Sequence, residues 1–195
     1  MDWKSKKKEG KKDKRGKRIV IGSLIMVLIV FASAFLVNQS YSAKQAIRKS
    51  SKGESDLVCE KIIYQKGLKD GRELIVYGNP EGEICSAIVK RTNIFYKTEH
   101  MLGGMSGEVM GGKKVNMELV SYDTYRFYLI GIFADEAVSS VRYGDQVMEM
   151  TEYEGTRVVI AVDEDETFNP KYYSKGFDVL DQDGNVLESE PRRWQ

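Results

Sequence analysis

The sequence predicts an all-β domain, an antiparallel β-sandwich of about ten strands, behind a single N-terminal transmembrane helix. Residues 19–37, IVIGSLIMVLIVFASAFLV, contain no charge, proline or amide. From Leu57 onward the apolar residues are mostly β-branched or aromatic and recur with period two, the spacing of a half-buried strand. The turn-forming stretches between these segments (LKDG, GNPEG, YGDQ, YEGT, DQDGN) are too short for helical crossovers, so neighbouring strands run antiparallel.

The first 18 residues carry ten Lys or Arg against three acids, and the chain after residue 37 carries 20 basic and 26 acidic side chains. A near-neutral total thus hides a tail of net +7 and a remainder of net −6. Basic flanks are retained on the cytoplasmic side of a bilayer, which predicts a cytoplasmic tail at 1–18 held against anionic lipid and an extracytoplasmic C-terminal part. As a helix, residues 19–37 reach roughly 28 Å, the thickness of a bilayer core. A secreted protein freed by signal cleavage is the alternative, with Ala32-Ser33-Ala34 and Tyr41-Ser42-Ala43 as small-residue sites. Against the first of these, Phe35, Leu36 and Val37 prolong the apolar run where a cleavage region turns polar. The basic tail has no aromatic residue beyond Trp3 and does not build a nucleic-acid-binding module.

Residues 38–56 are polar and read as a juxtamembrane linker; the β domain is expected at 57–195. Eleven segments read as strands, among them RELIVYG, EICSAIVKR, KVNMELVSY and TRVVIAVD. A division near residues 121–125 into two modules is disfavoured, because modules of about 70 residues bury little core. Cys59 and Cys85 lie in the exported part, where a pair in two strands is either a disulfide or two buried thiols.

GEVMGGKK, residues 107–114, matches G-x-x-x-x-G-K, but Lys114 stands where a phosphate-binding loop needs Ser or Thr for Mg²⁺. The residues that follow read as a strand, where the motif needs a helix. What remains is a glycine-rich loop whose Met101, Leu102, Met105, Val109 and Met110 are the expected partner-binding side chains, since methionine packs adaptably on varied surfaces. His100 is the sole histidine, so sites needing two or three are excluded. A Cys85/His100 nucleophile pair lacks the T-L-x-T-C approach of sortase-type transpeptidases, and its histidine follows the cysteine where theirs precedes it. Asp181-Gln182-Asp183-Gly184-Asn185 has glycine too early for a calcium loop and reads as a hairpin turn. Asp163 to Glu166 reads as a solvated acidic loop. No cofactor or metal is expected.

These features point to a membrane-anchored binding or sensory β domain, its partner an envelope protein or extracellular ligand. The alternatives are an extracytoplasmic hydrolase or transpeptidase using carboxylates or Cys85 with His100, and a structural subunit of an envelope assembly.

Overall fold

The computed structural model describes residues 3–105, 114–123, 126–133, 135–164 and 176–190. The chain forms two compact units, Met1–Gln39 and Ser40–Gln195.

The first unit is one helix, α1 (Trp3–Asn38). Its stretch Ile19–Asn38 has 20 residues with a mean hydropathy of 2.8, and is long and apolar enough to cross a membrane. The apolar side chains point in every direction; Leu28, Phe31 and Val37 are all exposed. Such a surface has no polar face to offer water. The two hydroxyls in the stretch are satisfied internally, Ser23 donating to the Ile19 carbonyl and Ser33 to the Val30 carbonyl, both at 2.9 Å.

The second unit is mostly β, and its described residues form twelve strands in three antiparallel sheets. The first sheet is a meander of β1 (Lys61–Gly67), β2 (Arg72–Gly78), β3 (Ile84–Thr92) and β4 (Phe95–Met105), in that order. The second has the order β5 (Val115–Asp123), β6 (Arg126–Phe133), β10 (Thr156–Asp163), β9 (Glu149–Tyr153). The third has the order β12 (Val186–Glu190), β11 (Phe177–Leu180), β7 (Ser140–Tyr143), β8 (Gln146–Val147). The segment QVMEMTEYE supplies two strands, β8 and β9, because Met148 is buried between them and its N–H bonds the Val141 carbonyl.

Three apolar clusters bind these layers. The first joins Leu74, Val76, Ile84 and Ile88 of the first sheet to Ile130, Ile132, Val158 and Ile160 of the second. This shared core joins residues on both sides of 121–125, and Ser40–Gln195 is a single compact unit. The second cluster lies on the other face of the second sheet, where Val115, Phe133, Val159 and Ala161 meet Val141, Tyr143 and Val179 of the third. The third lies on the other face of the first sheet, where Ile75, Tyr77, Ala87 and Val89 meet Ala43, Ala46 and Ile47.

That last contact corrects the expected linker at 38–56. Residues Ala43–Ser50 form a helix, α2, and Ser55–Leu57 a 3-10 turn, so the folded unit begins at Ser40. The local reasons are visible. The Ser42 side chain accepts from the Gln45 N–H (3.2 Å), and the Gln45 side chain accepts from the Tyr41 N–H (2.8 Å), an exchange close to a capping box. Ala43, Ala46 and Ile47 then stand at i, i+3 and i+4, one apolar stripe on a two-turn helix. Arg48 Nε donates to the Cys59 carbonyl (2.9 Å), and Lys44 Nζ to the Glu60 carbonyl, fastening the helix to the segment that enters β1.

Candidate functional site

Strand β2 begins in a tight turn. Gly71 takes φ 79°, its N–H bonds the Leu68 carbonyl, and the Asp70 carboxylate accepts from the Arg72 N–H (3.1 Å). The turn leaves the Arg72 guanidinium at the edge of the core shared by the first two sheets. There it meets three carboxylates: Asp70 at 2.9 Å, Glu99 at 3.3 Å and Asp123 at 3.3 Å. Its carbon also lies 6.0 Å from the centre of the Tyr122 ring.

Two irregularities in the ladders bring these groups together. In β4, Thr98 pairs with Val89 and His100 with Ile88, leaving Glu99 as an extra residue without a partner in β3. In β5, Ser121 pairs with Phe127 and Asp123 with Arg126, and Tyr122 is the extra residue. A β-bulge re-aims side chains that regular alternation would send elsewhere. Here one bulge from each sheet is directed at the same arginine. His100, next to Glu99, is half-buried, and its Nε2 is buried with no hydrogen-bond partner among the described residues. The cluster carries one positive and three negative charges, an excess suited to a basic or hydrogen-bond-donating ligand.

Of the expected site residues, the described ones, Met101, Leu102, Met105, Cys59 and Cys85, make none of these contacts. Met101, Leu102 and Met105 are in strand β4, not in a loop. Met105 is a buried member of the shared core, Leu102 packs against that core, and Met101 packs against the cluster under α2. The strand runs this far because Gly103 and Gly104 adopt extended backbone. At Gly104 a Cβ would fall 1.9 Å from the Glu83 carboxylate, so only glycine lets that side chain lie against the strand. Val109 and Met110 lie outside the described residues.

Cys59 and Cys85 are free thiols, not a disulfide, and both are buried in the cluster under α2. Cys85 Sγ donates to the Asp56 carbonyl at 3.5 Å. Burial pushes the Cys85 thiol up to about 12, reinforced by the Glu83 and Asp56 carboxylates and by Cys59. Burial likewise raises Cys59, against the opposing pull of Lys44 and Arg48. Both are therefore poor nucleophiles at neutral pH. His100 pairs with Ile88, whose side chain is in the shared core, while Cys85 faces α2; the two residues lie on opposite faces of the first sheet. A Cys85/His100 dyad is not assembled.

The other sequence motifs are absorbed by structure. Lys114 donates its N–H to Glu188 (2.9 Å) and its ammonium to Asp135, and Val115 starts a strand. The lysine of the phosphate-loop pattern is thus committed within the protein. Asp181 accepts from the N–H groups of Asp183 (2.9 Å) and Asn185 (2.8 Å) and from the Asn185 amide (3.0 Å), closing the β11–β12 hairpin. These bonds hold its carboxyl below the usual range. Glu164 accepts from the Lys69 N–H at 2.6 Å; Asp165 and Glu166 lie outside the described residues. Among the described residues no group of three or more His, Cys, Asp or Glu is placed to hold a metal ion.

No family model, curated protein or solved structure matches this chain.

Proposed function

We propose that this chain is a single-pass membrane protein, N-terminus cytoplasmic, whose first two sheets form the β-sandwich of an extracytoplasmic binding or sensory module. The anchor rests on the uncharged Ile19–Asn38 helix and on the charge asymmetry around it, with the basic tail on anionic lipid. The binding role rests on one observation: a bulge from each sheet directs charged groups onto Arg72, and next to Glu99 in the chain stands an imidazole nitrogen that no group among the described residues satisfies. The ligand is a basic peptide or amine, bound by the carboxylates that surround that arginine.

Three measurements test this reading. Protease added to intact cells should digest the C-terminal unit and spare the basic tail; digestion of the tail alone overturns the orientation. Full-length protein should bind a basic peptide library through this end, and Glu99→Gln with Asp123→Asn should weaken that binding about ten-fold, the loss expected for charge-assisted bonds of this kind. Turnover of a peptide or glycan that disappears in His100→Ala would replace the binding role with an enzymatic one.

A further inference from the structure

The tip of the β3–β4 hairpin carries an aliphatic side chain at its apex. Asn93 adopts a left-handed backbone conformation (φ 55°), and the residue after it at the apex is Ile94, a large apolar side chain 62% exposed. Turn apices ordinarily hold glycine, asparagine or aspartate. Beside it, Phe95 stacks edge-on against Tyr41, with ring centres 5.5 Å apart, and Tyr41 is itself 48% exposed. Lys90, Arg91 and Lys97 lie on the same two strands within four residues of Ile94 and are exposed; the Arg91 guanidinium sits over the Tyr96 ring at 5.6 Å.

The hairpin is tied to the start of the folded unit, because the Tyr96 N–H donates to the Ser40 carbonyl at 2.8 Å. Tyr41 is three residues beyond Asn38, the last residue of the apolar helix. Three residues of chain span at most about 11 Å, at any angle between the two units. Charge follows the same pattern. Residues 38–53 hold four basic and no acidic side chains, and residues 90–97 three basic and none acidic; the rest of the chain beyond residue 37 holds 13 basic and 26 acidic. An exposed aliphatic apex, two aromatic side chains and three nearby cations, close in the chain to the end of a membrane-spanning segment, match the interfacial zone of a bilayer: apolar and aromatic groups at headgroup depth, cations on lipid phosphates.

We propose that the β3–β4 hairpin tip, with Tyr41, Ile94 and Phe95 inserted at headgroup depth and Lys90, Arg91 and Lys97 on phosphate, is a second membrane contact that selects anionic lipid. It rests on the reading of α1 as a membrane anchor and is independent of the ligand bound near Arg72. Its consequence is a folded unit with a second attachment to the bilayer surface besides its helix.

The test uses the full chain in vesicles of phosphatidylcholine with and without phosphatidylglycerol, carrying an environment-sensitive fluorophore on Ile94→Cys. A control carries it on Gln182→Cys, in the exposed β11–β12 turn, and unlabelled wild-type protein confirms that Cys59 and Cys85 stay unreactive. The residue 94 probe should be blue-shifted, quenched by lipids with a spin label near the headgroup, and at least about three-fold less accessible to aqueous iodide than the control in the phosphatidylglycerol vesicles. Arg91→Glu with Lys97→Glu should lower the ratio of inserted to free tip at least about five-fold for each basic residue lost. A probe at residue 94 as accessible to iodide as the control, in protein that resists alkaline extraction, overturns the hairpin contact and leaves the anchor standing. Protection from iodide without quenching by labelled lipid also overturns it, since the tip is then covered by protein. Extraction of the protein by alkaline carbonate overturns the anchor and the contact together.

Discussion

Strands β3 and β7 belong to the same folded unit but differ in how burial runs along them. In β3 six consecutive residues, Ile84 to Val89, are buried; in β7 buried and half-buried residues alternate. The first sheet is covered twice, by the second sheet on one face and by α2 on the other, so adjacent side chains of β3 enter different clusters: Ile88 the shared core, Val89 the cluster under α2. The third sheet meets the second through one face, and Val141 enters that cluster. A continuous apolar run in a strand therefore reports two covers, and alternation reports one. The strand β10, with Val158 in one cluster and Val159 in another, repeats the rule in the second sheet.

This contrast can be broken by substitution. Ile88→Ala should destabilise the unit by about 4 kcal/mol, and Val89→Ala on the opposite face by about 2, both read as a shift in the urea midpoint with an unchanged slope. In β7 Val141→Ala should cost about 2 kcal/mol, whereas Arg142→Ala, which loses only a half-exposed ion pair with Asp178 at 2.6 Å, should cost less than about 1. Equal losses at Val141 and Arg142 would refute the one-cover assignment of the third sheet.

The role of α2 as the second cover is separable from the shared core. Ile47→Ala should cost about 3 kcal/mol and, by loosening the helix, make Cys59 and Cys85 reactive toward a thiol reagent under native conditions. Ile88→Ala should leave them protected until global unfolding. Reactive thiols in the wild-type protein would contradict the closed α2 face.

The approach of the first two sheets has a tighter marker. At Gly78 a Cβ would lie 2.4 Å from the buried Tyr153 ring, a rigid neighbour, so Gly78→Ala should cost about 2 kcal/mol through displaced packing, measured by thermal or urea unfolding.

The smallest effect belongs to the rim, where Glu149 of β9 accepts from Lys66 (2.7 Å) and from the Tyr64 hydroxyl (2.7 Å) of β1. These partners, Lys66 foremost, hold its carboxyl below the usual range. A lowered folded-state value stabilises the fold above the unfolded value and is lost as pH falls through the folded one. Glu149→Gln should therefore cost less than about 1 kcal/mol at neutral pH, its partly exposed side chain being screened by solvent, and should flatten the stability curve below about pH 4. An unchanged acid limb would assign that pH dependence to other carboxylates.

Much of the β layout was legible because alternation and turn chemistry are local. The segments RELIVYG and TRVVIAVD correspond to β2 and β10 nearly residue for residue, and Asp181 closes the hairpin its sequence implies. The helix α2 escaped because two turns are too few for a period to stand out, although the Ser42–Gln45 cap and the Ala43, Ala46, Ile47 stripe were present. The unbroken run in β3 was the second clue, since a strand buried on both faces requires a cover that a polar linker cannot supply. Nothing in the sequence marked Arg72, Glu99 and Asp123 as neighbours. The adjacent polar pair Glu99-His100 inside a strand hints at a bulge, but a bulge exists only relative to the register of its partner strand.

The sequence by itself determined the apolar helix, the basic tail and the succession of short antiparallel strands, because hydropathy, charge and turn propensity act over a few residues along one chain. Tertiary structure alone decided that β4 absorbs Met101 to Met105, that the two thiols lie under α2 away from His100, and that two bulges meet at one arginine. Those outcomes depend on register and on which faces are covered, and both are settled by contacts between residues far apart in the chain.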